Sequence, residues 1–272
     1  AICDEAAPQT FVEHPKALAA VAAALDPQHS VPVNVRAIAA NRRLGTIASA
    51  KRISGFLATP NLGRALRVEA LYALQSWPQA STLDPIDGRY FPIPAGDLDT
   101  LSAAIGPEIW SLANDADDKV SRRAIAVLQS IKPSKAQRDQ VAGFVLDEGQ
   151  RSTVRKAWLR WLRKQDLALF TSVGVKALYS KSPELRVVAA QELMGAKQGR
   201  SAVNSYLLAT LKNSGDTVEL QRAIKMVPRL PSKKSIIEQL VKELIAGRIA
   251  PDIQLEVLET ATTAMRDYTE LK

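Results

Sequence analysis

The chain is poor in the residues that build metal and cofactor sites. Its 272 residues include one cysteine, Cys3, and two histidines, His14 and His29. A single cysteine excludes an internal disulfide and any metal site made from several thiolates. Neither histidine has His, Asp or Glu partners at ligand spacing. We therefore predict that both are surface residues and that the chain takes no cofactor or metal.

Long apolar runs and aromatic residues are also scarce. No apolar run approaches the roughly 18–20 residues that a membrane-spanning helix needs, so no membrane span is predicted. Aromatic side chains make up only 5% of the chain, and Ala and Leu dominate the apolar residues. Because Ala and Leu lose little conformational entropy in a helix, this composition favours an all-α fold.

Motifs of common catalytic sites are missing as well. The sequence contains no Gly-x-Gly-x-x-Gly, no phosphate loop, no His-Glu-x-x-His and no Gly-x-Ser-x-Gly. We therefore predict no catalytic residues and expect that this segment is not an enzyme. The net charge of +8 and the pI near 9.6 favour anionic partners, such as nucleic acid, an acidic protein or an anionic surface.

An internal repeat is the strongest pattern in the sequence. The pattern starts with a pair of residues, an aliphatic residue and a second residue that is often Arg. Ala or another apolar residue follows three positions after the second residue of the pair, and Leu commonly follows four positions later. The second residue of each pair marks a copy: Arg36, Arg67, Ser121, Arg155, Arg186, Gln221 and Gln254. The steps between the markers are 31, 54, 34, 31, 35 and 33 residues. Five of the six steps match a unit of two helices.

Each copy places its apolar residues on one helical face, which is buried only when neighbouring helix pairs stack. Prolines and glycines lie mostly between the predicted helices, where chain breaks belong. We predict an all-α fold: an α-solenoid of about seven HEAT-like antiparallel helix pairs forming a single domain over residues 1–272. The first helix of each pair is predicted at residues 16–25, 46–57, 98–112, 136–146, 167–179, 202–211 and 235–245.

The one long step contains a non-helical insertion of about 20 residues at 77–96. Its four prolines and two glycines forbid a helix. Asp87-Gly88 predicts a tight turn, within a short hairpin. Asp84 and Asp87 are candidate calcium ligands or, as the alternative, caps of the turn. The insertion is one candidate interaction surface, with Asp84, Asp87, Arg89 and Tyr90 as its candidate residues.

Several stretches together resemble a known family. They are Asp4, residues 35–45 and 66–74, Trp77-Pro78, Asp84, Asp87 to Tyr90, and Pro92. These residues are similar to the HEAT-repeat region of large secreted proteins of planctomycete and verrucomicrobial type. Those proteins carry a sugar-dehydrogenase-like β-propeller, HEAT repeats and a haem-binding cytochrome c domain. The resemblance implies a spacer and docking segment, periplasmic or secreted, whose redox chemistry lies in other domains; this chain has neither the haem motif nor the propeller strands.

A second candidate surface is the densest run of positive charge. Residues 151–164 hold six basic residues and no acid. We name the basic ridge by its candidate interaction residues: Arg155, Lys156, Arg160, Arg163 and Lys164. Together with Trp158 and Trp161, this ridge can bind phosphates and stack bases. In the alternative, both tryptophans belong to the core and the basic side chains are a solvated face. Asp166 is the acid that could serve such a site or cap the next helix.

The leading functional prediction is a non-catalytic scaffold within a multidomain periplasmic redox protein. Its predicted partners are other domains of the same polypeptide or an acidic protein. One alternative is a nucleic-acid-binding solenoid, related in kind to DNA glycosylases. Another is a generic cytoplasmic protein-interaction solenoid, because one cysteine is compatible with any compartment.

Overall fold

The structure, a computed structural model, describes residues 15–86, 88, 90–196, 199–230 and 233–267. The chain divides into two compact units, Ala1–Ser134 and Lys135–Lys272. We call them unit 1 and unit 2 and describe each by itself. The prediction of a single domain stays a prediction.

In its described residues, unit 1 is helical apart from one small sheet. Its described elements are α1 (Pro15–Ala23), α2 (Val31–Leu44), α3 (Ile47–Leu57), α4 (Arg64–Gln75), β1 (Ser81–Leu83), β2 (Tyr90–Ile93), α5 (Leu98–Ala104), α6 (Pro107–Leu112) and α7 (Asp118–Leu128). Helix α4 packs against α2, α3 and α7. Helix α4 therefore contacts its pair partner α3 and the equivalent helices of the neighbouring pairs, α2 and α7.

Unit 2 repeats this arrangement in four helix pairs. Its described elements are α8 (Lys135–Leu146), α9 (Ser152–Gln165), α10 (Leu167–Ala177), α11 (Pro183–Met194), α12 (Arg200–Asn213), α13 (Thr217–Met226), a 3-10 turn (Val227–Arg229), α14 (Lys233–Ile245) and α15 (Pro251–Asp267). Helix α9 packs against α8, α10 and α11, and α13 against α11, α12 and α15. Contacts limited to neighbouring pairs are typical of helical repeats. The predicted all-α fold of HEAT-like helix pairs is confirmed.

Helix starts follow from short polar side chains at the N-caps. The side chains of Thr46, Asp97, Asp117, Asp166, Ser182 and Asp216 each accept a hydrogen bond from a backbone N–H in the first turn of the helix that follows. Such caps satisfy N–H groups that have no partner inside the helix. Of the two roles considered for Asp166, the structure shows the cap: its Oδ1 lies 3.0 Å from the backbone N of Leu169.

One predicted helix is wrong in detail. Residues 98–112 were expected to form a single helix, but α5 ends at Ala104 and α6 begins at Pro107. Proline has no N–H to donate and disfavours the helical conformation of the residue before it. Gly106 accordingly has an extended backbone, with φ −98° and ψ −178°.

The insertion forms the predicted hairpin. Strands β1 and β2 pair antiparallel, with Ser81 opposite Ile93 and Leu83 opposite Tyr90. Gly88 has a φ of 71°, and its N–H lies 3.0 Å from the carbonyl oxygen of Asp84. A positive φ at this position suits glycine, which has no Cβ to clash.

Candidate functional site

The hairpin is fixed to unit 1 by an arginine from another helix pair. Arg42, in the last turn of α2, is 5% exposed. Its guanidinium donates hydrogen bonds to the carbonyl oxygens of Ser76 at 3.0 Å, Pro94 at 3.2 Å and Gln79. It also lies 5.5 Å from the centre of the buried Trp77 ring. Arg42 therefore joins both ends of the insertion to α2.

The neighbouring Arg43 holds the turn of the hairpin. Its Nη2 lies 2.8 Å from Oδ2 of Asp84, and both side chains are almost fully buried. The other carboxylate oxygen of Asp84 accepts a hydrogen bond from the N–H of Ile86 at 2.8 Å. Asp84 is therefore a turn-forming residue in a buried ion pair, which corrects its prediction as an interaction residue. Of its two other predicted roles, the structure shows the turn cap. Sequence reasoning missed Arg42 and Arg43, because adjacent arginines on a helix are common.

The hairpin presents two large side chains to solvent. Tyr90 is 74% exposed and Leu83 is 51% exposed, and they lie opposite each other in the sheet. Side chains of directly opposed residues share one face of a sheet. The two therefore form one apolar patch. The candidate residues Asp87 and Arg89 lie outside the described residues.

A small cavity of about 140 Å³ lies beneath the hairpin. Its walls come from α2, α4 and the insertion, and include Ile38, Ala39, Tyr72, Ser81, Pro85 and Ile93. Binding sites for small molecules usually span about 300–1,000 Å³. The volume therefore suits one side chain of a binding partner better than a cofactor.

Glu69 adds an acid to the wall of this cavity. Burial raises the pKa of its carboxyl group, and the charges of Arg123 and Lys119 offset this only in part. Tyr72, also in the wall, lies under the guanidinium of Arg123, which is 4.9 Å from the ring centre. The cavity wall therefore continues into helix α7 through a cation–π contact.

Helix α7 carries three cations on one face: Lys119, Arg122 and Arg123, which we call the cation triad. Arg123 donates to Oε1 of Gln75, and Arg122 donates to the backbone carbonyl oxygen of Asp118 at 3.0 Å. None of the three forms an ion pair with any residue that the structure describes. With Gln75 and Ala126 they line an open groove of about 370 Å³. The spacing i, i+3, i+4 was the sequence signal that could have revealed the triad.

The basic ridge of unit 2 is built differently. Trp158 and Trp161 are fully buried and pack edge to face, with ring centres 5.5 Å apart. The alternative reading, that both tryptophans are core residues, is confirmed. No aromatic edge accompanies the basic side chains on this part of helix α9.

Arg155 does not belong to the exposed ridge, which corrects its prediction as an interaction residue. It is 2% exposed and donates to both carboxylate oxygens of Glu148, at 2.8 and 3.1 Å, and to the carbonyl oxygen of Val145 at 2.8 Å. The hydrogen bond from Arg155 lowers the pKa of Glu148 to about 2. The side chain is a structural clamp inside unit 2.

Three of the remaining ridge residues lie near acids of the next helix pair. Arg160 and Arg163 both pair with Glu192 of α11. The pKa of Glu184 is lowered by a hydrogen bond from Ser182 and, more weakly, by the charge of Lys156. Lys164 is exposed in the last turn of α9. Much of the ridge's positive charge is therefore matched within unit 2.

A second marker arginine, Arg186, forms bonds between helix pairs. Arg186 donates to both carboxylate oxygens of the buried Glu219, at 2.7 and 2.6 Å, and to the carbonyl oxygen of Ser180 at 2.7 Å. Ser180 in turn donates from Oγ to Glu148 at 2.8 Å. Arg155 and Arg186 thus belong to one polar network that crosses unit 2, and their recurrence in the sequence has a structural reason.

Within the described ranges, no three side chains of His, Cys, Asp and Glu are grouped to hold a metal ion. In that same part of the chain, no helix combines the length and the apolar character needed to cross a membrane.

Comparisons with known proteins give a structural similarity. No protein-family model matches the chain, and no curated protein does. Among solved structures it is similar to human deoxyhypusine hydroxylase in complex with glycerol, at 17% sequence identity and a TM-score of 0.36. The alignment covers 97% of this chain and 99% of the hydroxylase chain.

This similarity corrects the prediction that the segment is not an enzyme. The hydroxylase is by its name an enzyme. The prediction that this segment is not an enzyme, which relied on a helical-repeat fold and on missing motifs, was therefore wrong. A TM-score of 0.36 assigns no activity to the present chain in return. What the geometry does provide is a fixed hairpin with an exposed apolar patch, a small cavity and an adjacent row of cations in unit 1.

Proposed function

We propose that the chain is a docking module that binds a protein partner through the hairpin of unit 1. One observation carries this proposal: Leu83 and Tyr90 are exposed side by side on a hairpin that buried arginines hold in place. Tyrosine is enriched among the residues that dominate binding energy in interfaces. A surface that is already ordered loses less conformational entropy on binding.

The partner contributes an apolar side chain to the cavity of about 140 Å³ beneath the hairpin. Ile38, Ala39 and the ring of Tyr72 provide an apolar lining. A partner side chain that enters between them is removed from water, as in the centre of many interfaces. Leu83 and Tyr90 then pack around that anchor.

The setting of this docking module follows the family resemblance. We propose that the partner is another domain of a multidomain periplasmic or secreted redox protein, or an acidic protein that it meets. The stretches at 35–45, 66–74 and 77–92 support this proposal. Sequencing the gene beyond the codons for Ala1 and Lys272 tests it: the absence of both a propeller and a haem-binding motif would remove its support. The nucleic-acid alternative relied on Trp158 and Trp161, which are buried.

The docking surface can be tested with peptides selected on the wild-type chain from a phage-displayed random library. The double variant Leu83→Ser/Tyr90→Ser should weaken their binding about tenfold or more, since two central apolar contacts are removed. The matched control is Leu167→Ser/Tyr179→Ser in unit 2, where the two side chains are 55% and 75% exposed. Fluorescence anisotropy measures each Kd. Equal affinity for wild type and the hairpin variant would reject the proposal.

A further inference from the structure

We infer that the segment bound at the hairpin is acidic and continues from the apolar patch across α4 to the cation triad of α7. This inference rests on the proposed docking function and names the chemistry of the partner. It concerns one occupant, a protein segment with an apolar anchor followed by glutamate or aspartate side chains.

The first support is the contrast between two sets of cations in unit 1. Arg64 and Arg67 of α4 are paired with Asp117 and Asp115. Lys119, Arg122 and Arg123 form no ion pair with any described residue; the charges of Lys119 and Arg123 act on the Glu69 carboxylate without direct pairing. The acids that precede α7 are thus matched to α4. The triad is offset only by Glu69, which acts on Lys119 and Arg123 without forming an ion pair in the described residues. Such a row attracts carboxylates and speeds their association.

The second support is that the cavity beneath the hairpin and the groove of the cation triad adjoin each other along α4. Tyr72 lines the cavity beneath the hairpin together with Ser81 and Pro85. The ring of Tyr72 also contacts Arg123, and Gln75, one turn further along α4, accepts a hydrogen bond from Arg123. Gln75 lines the open groove with Lys119 and Arg122. A segment that enters the cavity can therefore continue along α4 to the cations of α7.

The local chemistry favours a protein segment over a nucleic acid. Glu69 stands between the hairpin and the triad and would repel a backbone with a phosphate at every nucleotide. Arg123 already covers one face of the Tyr72 ring, which reduces the stacking surface that single-stranded nucleic acids use. A peptide can instead place an apolar residue beside Glu69 and its acids beside the triad.

The test uses three labelled probes and the full chain. The acidic probe is a peptide in which one leucine and one tyrosine precede a run of glutamates; the neutral probe has glutamines in place of the glutamates. The third probe is an oligothymidylate. The key variant is Lys119→Gln/Arg122→Gln, which removes two exposed charges. Its matched control, Lys176→Gln/Lys212→Gln, makes the same change in net charge on exposed residues of unit 2.

We expect Lys119→Gln/Arg122→Gln to weaken binding of the acidic peptide about three- to tenfold, as two partly solvated charge pairs are lost. The neutral peptide should bind the wild type more weakly and should not respond to this variant. The control variant should bind both peptides as the wild type does, and added salt should weaken only the acidic peptide. Circular dichroism verifies that every variant is folded.

Several results would overturn the inference. Equal affinity for the acidic and neutral peptides would reject acid recognition, as would equal losses in the triad variant and its control. Tighter, triad-dependent binding of the oligothymidylate would assign the surface to nucleic acid. The hairpin variant Leu83→Ser/Tyr90→Ser separates the two proposals: if it leaves both peptides bound while the triad variant releases the acidic one, docking at the hairpin fails and acid recognition stands.

Discussion

The two units differ in net charge. The unit with the higher net charge is not the one that carries the cation triad. Unit 1 has 13 basic and 13 acidic residues, whereas unit 2 has 23 basic and 15 acidic residues, so the whole net charge of +8 belongs to unit 2. The basic ridge of unit 2 nevertheless pairs Arg155, Arg160 and Arg163 with glutamates. The neutral unit carries the triad without ion pairs to described residues.

Net charge and the local arrangement of charges therefore determine different properties of the protein. Net charge governs solubility and the long-range attraction of anions. A binding surface needs donors that the fold itself does not use. In unit 2 the marker arginines Arg155 and Arg186 are already bonded to Glu148 and Glu219. In unit 1, Arg42 and Arg43 are bonded to the hairpin segment, whereas the cation triad of α7 forms no ion pair with described residues.

The largest expected effect breaks the attachment of the hairpin. Asp84→Ala removes the carboxylate that pairs with the buried Arg43 guanidinium. We expect this change to lower the free energy of unfolding by about 3 kcal/mol. Arg43→Met/Asp84→Leu should cost clearly less, because no buried charge is stranded. Urea unfolding followed by circular dichroism measures both, and hydrogen exchange shows whether the loss is centred on residues 77–96.

An exposed ion pair of unit 2 provides the control. Arg248→Gln breaks a pair with Glu243 at the surface and should leave the urea midpoint unchanged. If Asp84→Ala behaves like this surface variant, the hairpin is not held by its buried ion pair, and the contrast between a locked hairpin and a solvated surface is lost.

A smaller effect concerns pH and unit 2. Because Arg155 lowers the pKa of Glu148 to about 2, this carboxylate stabilises the fold fully above its ordinary pKa near 4.5, and the contribution is lost as the pH falls from there towards 2. The glutamate side chain is 38% exposed, so we discount the contribution to about 1 kcal/mol. Between pH 5 and 2.5, the free energy of unfolding should fall less steeply with decreasing pH in Glu148→Gln than in wild type. If the two curves of unfolding free energy against pH are parallel, Arg155 does not stabilise the fold through Glu148.

The repeat shows how far the sequence predicts the fold. The apolar period placed all seven marker helices, because one buried stripe per helix follows from packing alone. It failed between Ala104 and Pro107, where the apolar pattern runs through a backbone break. The hairpin was predicted from Asp87-Gly88 and the prolines, which act locally through the backbone.

The candidate site was less predictable, because its decisive contacts are far apart in sequence. Arg42 reaches carbonyl groups more than 30 residues away, and Arg43 reaches Asp84 across 41 positions. The spacing of the cation triad is visible in the sequence. Whether a cation has an acid within reach depends on helix packing, which sequence spacing does not reveal. The sequence therefore predicts the basic ridge as an interaction surface and does not predict the cation triad.

The smallest expected effect sharpens the comparison between the ridge and the triad. Arg160→Gln/Lys164→Gln removes two exposed ridge charges, and we expect a change of less than about 0.5 kcal/mol in unfolding free energy, since exposed ion pairs contribute little. We also expect unchanged affinity for the acidic peptide that Lys119→Gln/Arg122→Gln releases. Both variants remove two positive charges, so any difference between them reports position rather than net charge. An equal loss of affinity in the ridge variant would show that the acidic segment responds to the overall field of the chain, and the local argument for α7 would fail.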